Sequence, residues 1–315
     1  MAMPVSVAKP IVGVDVAKDE LVIYHAQTDR LEAIPNTKAA IKKWLKELPA
    51  PVDVAIEATN IYHQEFADLA YAQGCVIYMI GGYELSHYRK GVKVRAKTDA
   101  LDARLLARYL NNEGHQLHPW TPPSPLYCRL ISLFRRRAAL VQARVSLKQS
   151  WSNEPLLKSA FENQIKAMQR LEVLLEKTIQ TQLEAAGLGA QLKRCMKVEG
   201  IGLLNGARLL TSFQRGGFRN ADAFIAFLGL DLRISDSGKK KGRRCLSKRG
   251  DPEARRLMHN AAMSARRTAA WKGFYEALRA RGLSTTEALV ALARKLARVV
   301  FALLKNQSEY LPKGI

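Results

Sequence analysis

IVGVDVAKD, residues Ile11 to Asp19, is a short apolar run with one acid, Asp15, planted near its end. A run of this length with β-branched residues reads as a buried strand, and Glu20 to Tyr24 resumes extended character after a turn at Lys18-Asp19, so the two make a hairpin. Three further acids stand in comparable company: Glu57 in VAIEATN, and Asp99 and Asp102 in KTDALDAR. Around them the chain is strongly basic, with 50 Lys+Arg against 28 Asp+Glu and a formal net charge of +22 over 315 residues. Acids at the ends of hydrophobic strands in such a chain require a cation to neutralise them. The pattern points to divalent-metal chemistry on a nucleic-acid phosphate.

Composition bounds the alternatives. A 48% hydrophobic content is enough for buried cores, and the length suits two or three domains. No run approaches the roughly 20 apolar residues that span a bilayer, and no secretory leader is apparent, so cytoplasmic residence, with the nucleoid, is the expectation and no membrane partner is expected. Cys75, Cys128, Cys195 and Cys245 lie far apart without a C-x-x-C pair, which argues for buried reduced thiols and against zinc or a disulfide framework. His115 and His118 sit beside Pro119 in a loop rather than at metal-ligand spacing. A large positive charge fits a polyanionic partner, and its spread along the whole chain favours a phosphate backbone over a membrane surface.

The first third, 1–125, reads as a layered α/β domain. Thr37 to Leu48 has helical spacing at Ile41, Trp44 and Leu45. Val52 to Ala58 is a strand, Ile61 to Gln73 a helix stopped by Gly74, and Val76 to Ile80 another strand. Arg89 to Lys97 reads as a basic connecting segment, after which Thr98 caps a helix from Asp99 to about Leu110. A Pro-rich joint, His118 to Pro125, then marks a change. Residues 126–186 have no glycine and apolar residues at helical spacing, and Pro155, with Ser152 and Asn153 as caps, divides them into two long helices of coiled-coil type. Such a pair serves as a scaffold or an oligomerisation surface. The remainder, 187–315, is mainly helical. Within it VEGIGLLNGARLL (Val198 to Leu210) has the form of a helix-hairpin-helix element that offers backbone N–H groups to a phosphate, or equally of a tight turn with no ligand. Between Lys239 and Arg249 stand seven basic residues and no acid, ahead of a helix capped at Asp251-Pro252. Phosphate contact is assigned to Lys239, Lys240, Lys241, Arg243, Arg244, Lys248 and Arg249 there, and to Arg95 and Lys97 in the first domain; the alternative is a solvated charged face.

Asp99 and Asp102 are i and i+3 on one helix, so their Cβ atoms lie about 5–6 Å apart. Carboxylates held that close repel unless a cation bridges them. Asp15 and Glu57 would lie side by side if their strands paired. Four carboxylates would balance two Mg²⁺, in the arrangement that clamps the attacking and leaving oxygens of a phosphodiester, and oxygen-only ligation selects Mg²⁺ or Mn²⁺. Each acid also has an ordinary use: Asp15 as a strand end, Glu57 paired with a lysine, Asp99 as a first-turn acid. Taken together, acids on the first strand, a later strand and the following helix are in the order of an RNase-H-like fold.

With GVDVAKD, AIEAT, AKTDALDA and GLDLRISDSGKKKGR in this order, the chain resembles the DEDD transposases of bacterial insertion sequences, a family that includes Piv-type invertases and bridge-RNA-guided recombinases. The resemblance covers essentially the whole length and implies a RuvC-like domain, a coiled-coil insertion and a C-terminal transposase domain. It implies that Asp15, Glu57, Asp99 and Asp102 bind Mg²⁺, and that Ser237 attacks a DNA phosphodiester to give a covalent phosphoserine intermediate, with Ser235 as the competing nucleophile. DNA, a non-coding bridge RNA and further copies of the chain, as a dimer or tetramer, are the implied partners. Two departures are visible: Leu232 stands where the family commonly has proline, and Asp236 where it often has a small polar residue. Other readings are a RuvC-type nuclease that hydrolyses DNA with water, an architectural nucleic-acid-binding protein, and an actin-like ATPase or sugar kinase. The last lacks its second glycine-rich hairpin and adenosine motif.

Overall fold

The strand β1 (Ile11–Val16) sorts its side chains by face, as the two-residue period of a strand demands. Val12, Val14 and Val16 are buried on one side, in a core with Ile41, Trp44 and Phe66. Gly13 and Asp15 take the other. The computed structural model describes residues 9–58, 61–94, 96–151, 153–233, 242 and 244–312. The chain divides into two compact units, Met1–Pro122 and Pro123–Ile315.

In the first unit β1 pairs antiparallel with β2 (Glu20–His25), which pairs antiparallel with β3 (Arg30–Pro35). The helix α1 (Lys38–Glu47) carries the chain over to β4 (Asp53–Glu57), which lies parallel to β1 on its free side. A parallel pair needs such a crossover, because no tight turn can reverse the chain twice. α1 starts where Thr37 accepts a hydrogen bond from Ala40 N, and it buries Ile41, Trp44 and Leu45. A second crossover, α2 (Gln64–Ala72), leads to β5 (Val76–Ile80), parallel to β4, and completes a five-stranded sheet in the order β3-β2-β1-β4-β5. The mixed α/β sheet expected of the first domain is present. Two elements were not expected: β3, an edge strand with no buried position, and α3 (Gly82–Gly91), whose one buried side chain is Leu85. Arg89, assigned to a basic connection, therefore belongs to a helix.

The other face of the sheet is covered by α4 (Asp99–Glu113), capped by Thr98 as expected, with the Thr98 hydroxyl accepting from Leu101 N. Gly13 sits under it. A Cβ at Gly13 would overlap the Ala103 carbonyl oxygen and come within 2.7 Å of Ala107 N, so the helix lies on β1 at backbone distance. Leu105 and Leu106 of α4 join Ala55, Ile80 and Leu85 in a second core on this side.

The second unit is helical. α5 (Pro125–Ser150) and α6 (Lys158–Ala185) run antiparallel, cross-linked by Arg137–Glu176 at 2.6 Å and by Arg144–Glu172. The chain breaks between them near Pro155 as expected. The proposed caps do not make that break: α6 begins after Leu157, which takes left-handed φ of 58° without a side-chain cap, Asn153 lies upstream of it, and Ser152 is outside the described residues. At the near end Leu130, Phe134, Ile179 and Leu183 enter the core of the unit; farther out, Val145, Leu147, Leu171, Val173 and Leu174 are exposed. Next come α7 (Gly189–Met196) and α8 (Leu203–Phe213), joined by a turn in which Gly200 has φ +89°. α9 (Ala221–Phe227) follows, then a two-stranded hairpin of β6 (Leu232–Arg233) and β7 (Cys245–Leu246). The unit closes with α10 (Pro252–Ala265), α11 (Ala269–Ala280) and α12 (Thr285–Asn306). α12 is the spine of the core: Leu289, Leu292, Ala293, Leu296 and Val300 are buried at the three-and-four spacing of one helix face. Cys75 and Cys195 are buried free thiols, and burial pushes the Cys195 thiol up to about 12. Cys128 is exposed and Cys245 half-buried, so burial was right for two of the four.

Candidate active site

Parallel pairing of β1 with β4 matches Val14 to Ile56, and Asp15 and Glu57 are the next residue on each strand. They share a face with Gly13 and Ala55, the face on which α4 lies. Because α4 begins at Asp99, its first turn brings Asp99 and Asp102 over those strand ends. Four carboxylates from three elements thus share one electrostatic neighbourhood. Asp15 registers it: burial first, then the negative charges of Asp99, Asp102 and Glu57, push its carboxyl up to about 6. Glu57 is also held above its ordinary range, by burial and then by Asp102, with Lys97 and Arg89 pulling the other way.

The exposures differ. Asp102 is buried at 3% and Asp99 is exposed, while Asp15 and Glu57 are half-buried. The site therefore has a closed side, at Asp102, and an open side, at Asp99. On the closed side Arg89 of α3 donates from its guanidinium to Asp102 Oδ1, and its Nε is buried with no acceptor. Beside Glu57 lies the start of α3, where a Cβ at Gly82 would stand 2.6 Å from Glu57 Oε1. A glycine is needed there to let the carboxylate lie against the helix N-terminus, whose partial positive charge favours it. Neither Arg89 nor Gly82 was singled out from the sequence. The signal for Gly82 was the Gly81-Gly82 pair directly after a strand.

The donor set suits a hard divalent cation: four carboxylates, no sulfur and no imidazole. The carboxyls of Asp15 and Glu57 are raised, as expected of acids crowded together without enough positive charge. Among the described residues, no three His, Cys, Asp or Glu side chains are gathered tightly enough to hold an ion. The four acids are assembled into one neighbourhood but not into a finished coordination shell, and Arg89 occupies one oxygen of Asp102.

Of the residues assigned to nucleic acid, Lys97 is exposed two positions before Asp99, close enough to act on Glu57. Arg244 and Lys248 are exposed around β7, and Arg249 follows in the loop before α10, where a Cβ at Gly229 would overlap the Arg249 carbonyl oxygen. Arg95, Lys239, Lys240, Lys241 and Arg243 lie outside the described residues, as do Ser235, Asp236 and Ser237. In the α7–α8 turn a Cβ at Gly200 would stand 2.8 Å from Ala261 O, so that glycine serves packing against α10. Gly202, the residue before α8, has open space around it. Among the described residues no helix is long and apolar enough to cross a membrane.

Similarity to known proteins extends over most of the chain. Residues 12–162 match a family model described as a transposase of the DEDD IS110 type, and residues 192–276 match the model described as transposase IS116/IS110/IS902 family. Relatives include the pilin gene-inverting protein of Moraxella lacunata, 24% identical over 319 residues, which cover 96% of this chain and 98% of that protein. A probable family 20 transposase of Pseudomonas aeruginosa is 25% identical over 346 residues, with the same coverage. Among solved structures, RuvC of Thermus thermophilus is similar to 35% of this chain over 99% of its own length, at 12% identity and a TM-score of 0.29. The chain belongs to the IS116/IS110/IS902 family of DEDD transposases.

Proposed function

We propose that this transposase cuts and rejoins DNA strands by Mg²⁺-dependent chemistry at Asp15, Glu57, Asp99 and Asp102, with Ser237 as the nucleophile. The observation that carries the reading is the convergence of Asp15 and Glu57, from adjacent parallel strands, beneath the first turn of α4. In this reading the first unit is an RNase-H/RuvC-like domain. A bound Mg²⁺, or Mn²⁺, would neutralise the carboxylates and polarise a phosphodiester.

The covalent step forms a bond between Ser237 Oγ and phosphorus as the bond from phosphorus to a deoxyribose oxygen breaks. The hydroxyl proton ends on the departing oxygen, so the phosphodiester is conserved as phosphoserine and one strand end is left as a free hydroxyl. Attack on the phosphoserine by a hydroxyl of a second DNA end reverses the step and frees Ser237. Energy of the phosphodiester is retained, which is what recombination without a nucleotide cofactor requires. A serine hydroxyl is a weak nucleophile at neutral pH and needs activation. No histidine stands beside Ser237 in sequence to supply it.

The net charge of +22 supports DNA as substrate and a bridge RNA as guide. Lys97, Arg244, Lys248 and Arg249 carry phosphate contacts in this reading, together with the α7–α8 turn as a helix-hairpin-helix element at the open Gly202. Exposed Leu171, Val173 and Leu174 on α6 support a coiled-coil contact with another copy of the chain, as dimer or tetramer.

Incubation with Mg²⁺ and element-end DNA, followed by a denaturing gel, tests the mechanism. A protein–DNA adduct is expected, and it should vanish in Ser237→Ala and in Glu57→Gln. Cleavage that survives Ser237→Ala would assign the chain to hydrolytic nucleases of RuvC type. Full activity of Asp15→Asn would remove the metal from either account.

A further inference from the structure

Between the β6–β7 hairpin and the start of α12 lies a cavity of about 520 Å³, built wholly within the second unit. Part of its wall is apolar: Leu232 and Leu246 from the hairpin, Leu283 before α12, and Val290 on it. The other part is cationic, with Arg244 and Lys248 on the hairpin side, Arg281 at the end of α11, and Arg294 on α12. The volume is within the range of small-molecule sites.

These four cations have no carboxylate to pair with among the described residues. Among the described residues Glu287 is the one acid lining the cavity, and its side chain is tied into the cap of α12, accepting from Ser284 N at 2.9 Å and from Ser284 Oγ at 2.6 Å. Arg294 is half-buried. Its Nε is buried without an acceptor. The acids that act on it, Asp222 and Asp231, are bound elsewhere, Asp222 to Arg298 at 2.6 Å and Asp231 to the Ser247 hydroxyl at 2.7 Å. Four cations around one cavity, with no carboxylate partner among the described residues, are the lining of a site for an anion. A simple anion would leave the four apolar residues without a use, and an uncharged apolar ligand would leave the cations unpaired. Both walls are used by a ligand with a flat, weakly polar body and phosphates close to it.

We propose that this cavity receives one nucleotide of an unpaired nucleic-acid strand, its base against Leu232, Leu246, Leu283 and Val290 and its flanking phosphates on Arg244, Lys248, Arg281 and Arg294. The apolar wall offered to the base is aliphatic, so its contact with the base is of the kind any base can make. Leu232 and Cys245 bracket the stretch of chain that carries Ser237, so an unpaired nucleotide is anchored by the strands that bound the nucleophile's segment. The inference rests on the nucleic-acid reading above and adds to it a defined site and strand state. DNA and RNA share the required chemistry.

Fluorescence anisotropy of the full-length protein with labelled oligothymidylate and oligouridylate, across a salt series, tests it and separates the two sources. Val290→Trp, which fills the cavity without changing charge, is expected to weaken binding of the strand that uses the site by about five-fold while leaving the salt slope unchanged. Arg294→Met is expected to weaken binding and to flatten the slope by about 0.7. Arg281→Met, at an exposed position that the fold does not need, is expected to do the same and guards against misfolding of the other two variants. Loss on the thymidylate arm alone identifies DNA as the source, on the uridylate arm alone RNA, and on both a site shared by the two. If the three variants bind both probes like the parent, the cavity is not a nucleotide site, although the protein still binds nucleic acid. If the parent binds neither probe nor duplex DNA, the nucleic-acid reading falls together with the cavity.

Discussion

Arg89 on α3 and Asp102 on α4 form an ion pair almost out of solvent, with 16% and 5% of their side chains exposed. The pair places one positive charge among four acids, on the closed side of the site. Removing one partner of a buried pair costs about 3–5 kcal/mol, because the other charge is left uncompensated. Arg89→Gln is therefore expected to lower the melting temperature in EDTA. It should recover in part with added Mg²⁺, since a divalent ion then faces a vacant Asp102 carboxylate. Differential scanning fluorimetry with and without Mg²⁺ checks this. An equal loss in both conditions would show that Arg89 serves packing alone.

Asp15 gives a pH dependence of definite sign. Its carboxyl is raised from 3.8 to about 6 by burial and by Asp99, Asp102 and Glu57, so the folded protein holds this proton more tightly than the unfolded chain. The group weakens the fold above about pH 6 and ceases to do so as pH falls toward 3.8. Asp15→Asn imposes the neutral form at every pH. In EDTA at about pH 8 the variant should melt above the parent by roughly 2–4 °C, and the gap should narrow by about half near pH 5 and close as the pH approaches 3.8. A variant less stable than the parent at the higher pH would mean that Asp15 is a structural acid. Stability gained where activity is lost is the usual mark of a functional site.

Gly13→Ala tests how the site is positioned. The added methyl meets the Ala103 carbonyl oxygen, which is backbone and cannot rotate away, so α4 must lift from β1. Overpacking of this kind costs about 1–3 kcal/mol. Because Asp99 and Asp102 ride on α4, adduct formation should fall far more than the melting temperature implies. Loss of stability with undiminished adduct would show that the site tolerates the shift of the helix.

How far the sequence could be read follows from where burial writes a pattern. β1, β4 and β5 are strands with apolar runs, and those runs place Asp15 and Glu57 with near-correct ends. Thr98 announces α4 because a cap is a local device. β3 left no such trace, since an edge strand with every residue at least partly exposed has no face to bury. α3 fully buries one side chain, Leu85, and the apolar face it shares with Tyr88 and Val92 is too sparse among polar residues to announce a helix. With α3 unseen, Arg89 looked like one more surface cation, and its bond to Asp102 is a tertiary fact that no spacing encodes. The turn that follows Val198 could be read from the sequence equally as a phosphate motif or as a tight turn, and one of its glycines, Gly200, serves packing against α10.

Asp251 does two jobs, and they can be separated. Its Oδ1 caps α10, accepting from Glu253 N at 2.7 Å and Ala254 N at 3.1 Å, while Oδ2 pairs at 2.8 Å with Arg208, which is buried at 3% in α8. Arg208 also donates to Ser212 Oγ at 3.1 Å, so a hydroxyl is its other described side-chain acceptor. Asp251→Asn keeps an oxygen for the cap but removes the charge; Asp251→Ala removes both. A cap is worth about 1 kcal/mol, and loss of a buried charge's partner about 3–5 kcal/mol. Both variants should therefore be strongly destabilised, with Ala below Asn by only the smaller increment, in urea melts followed by circular dichroism. Arg208→Met, which removes the buried charge with its need for a partner, should be milder than Asp251→Ala. If Asp251→Asn instead melts like the parent, the cap alone holds α10 to the segment that precedes it.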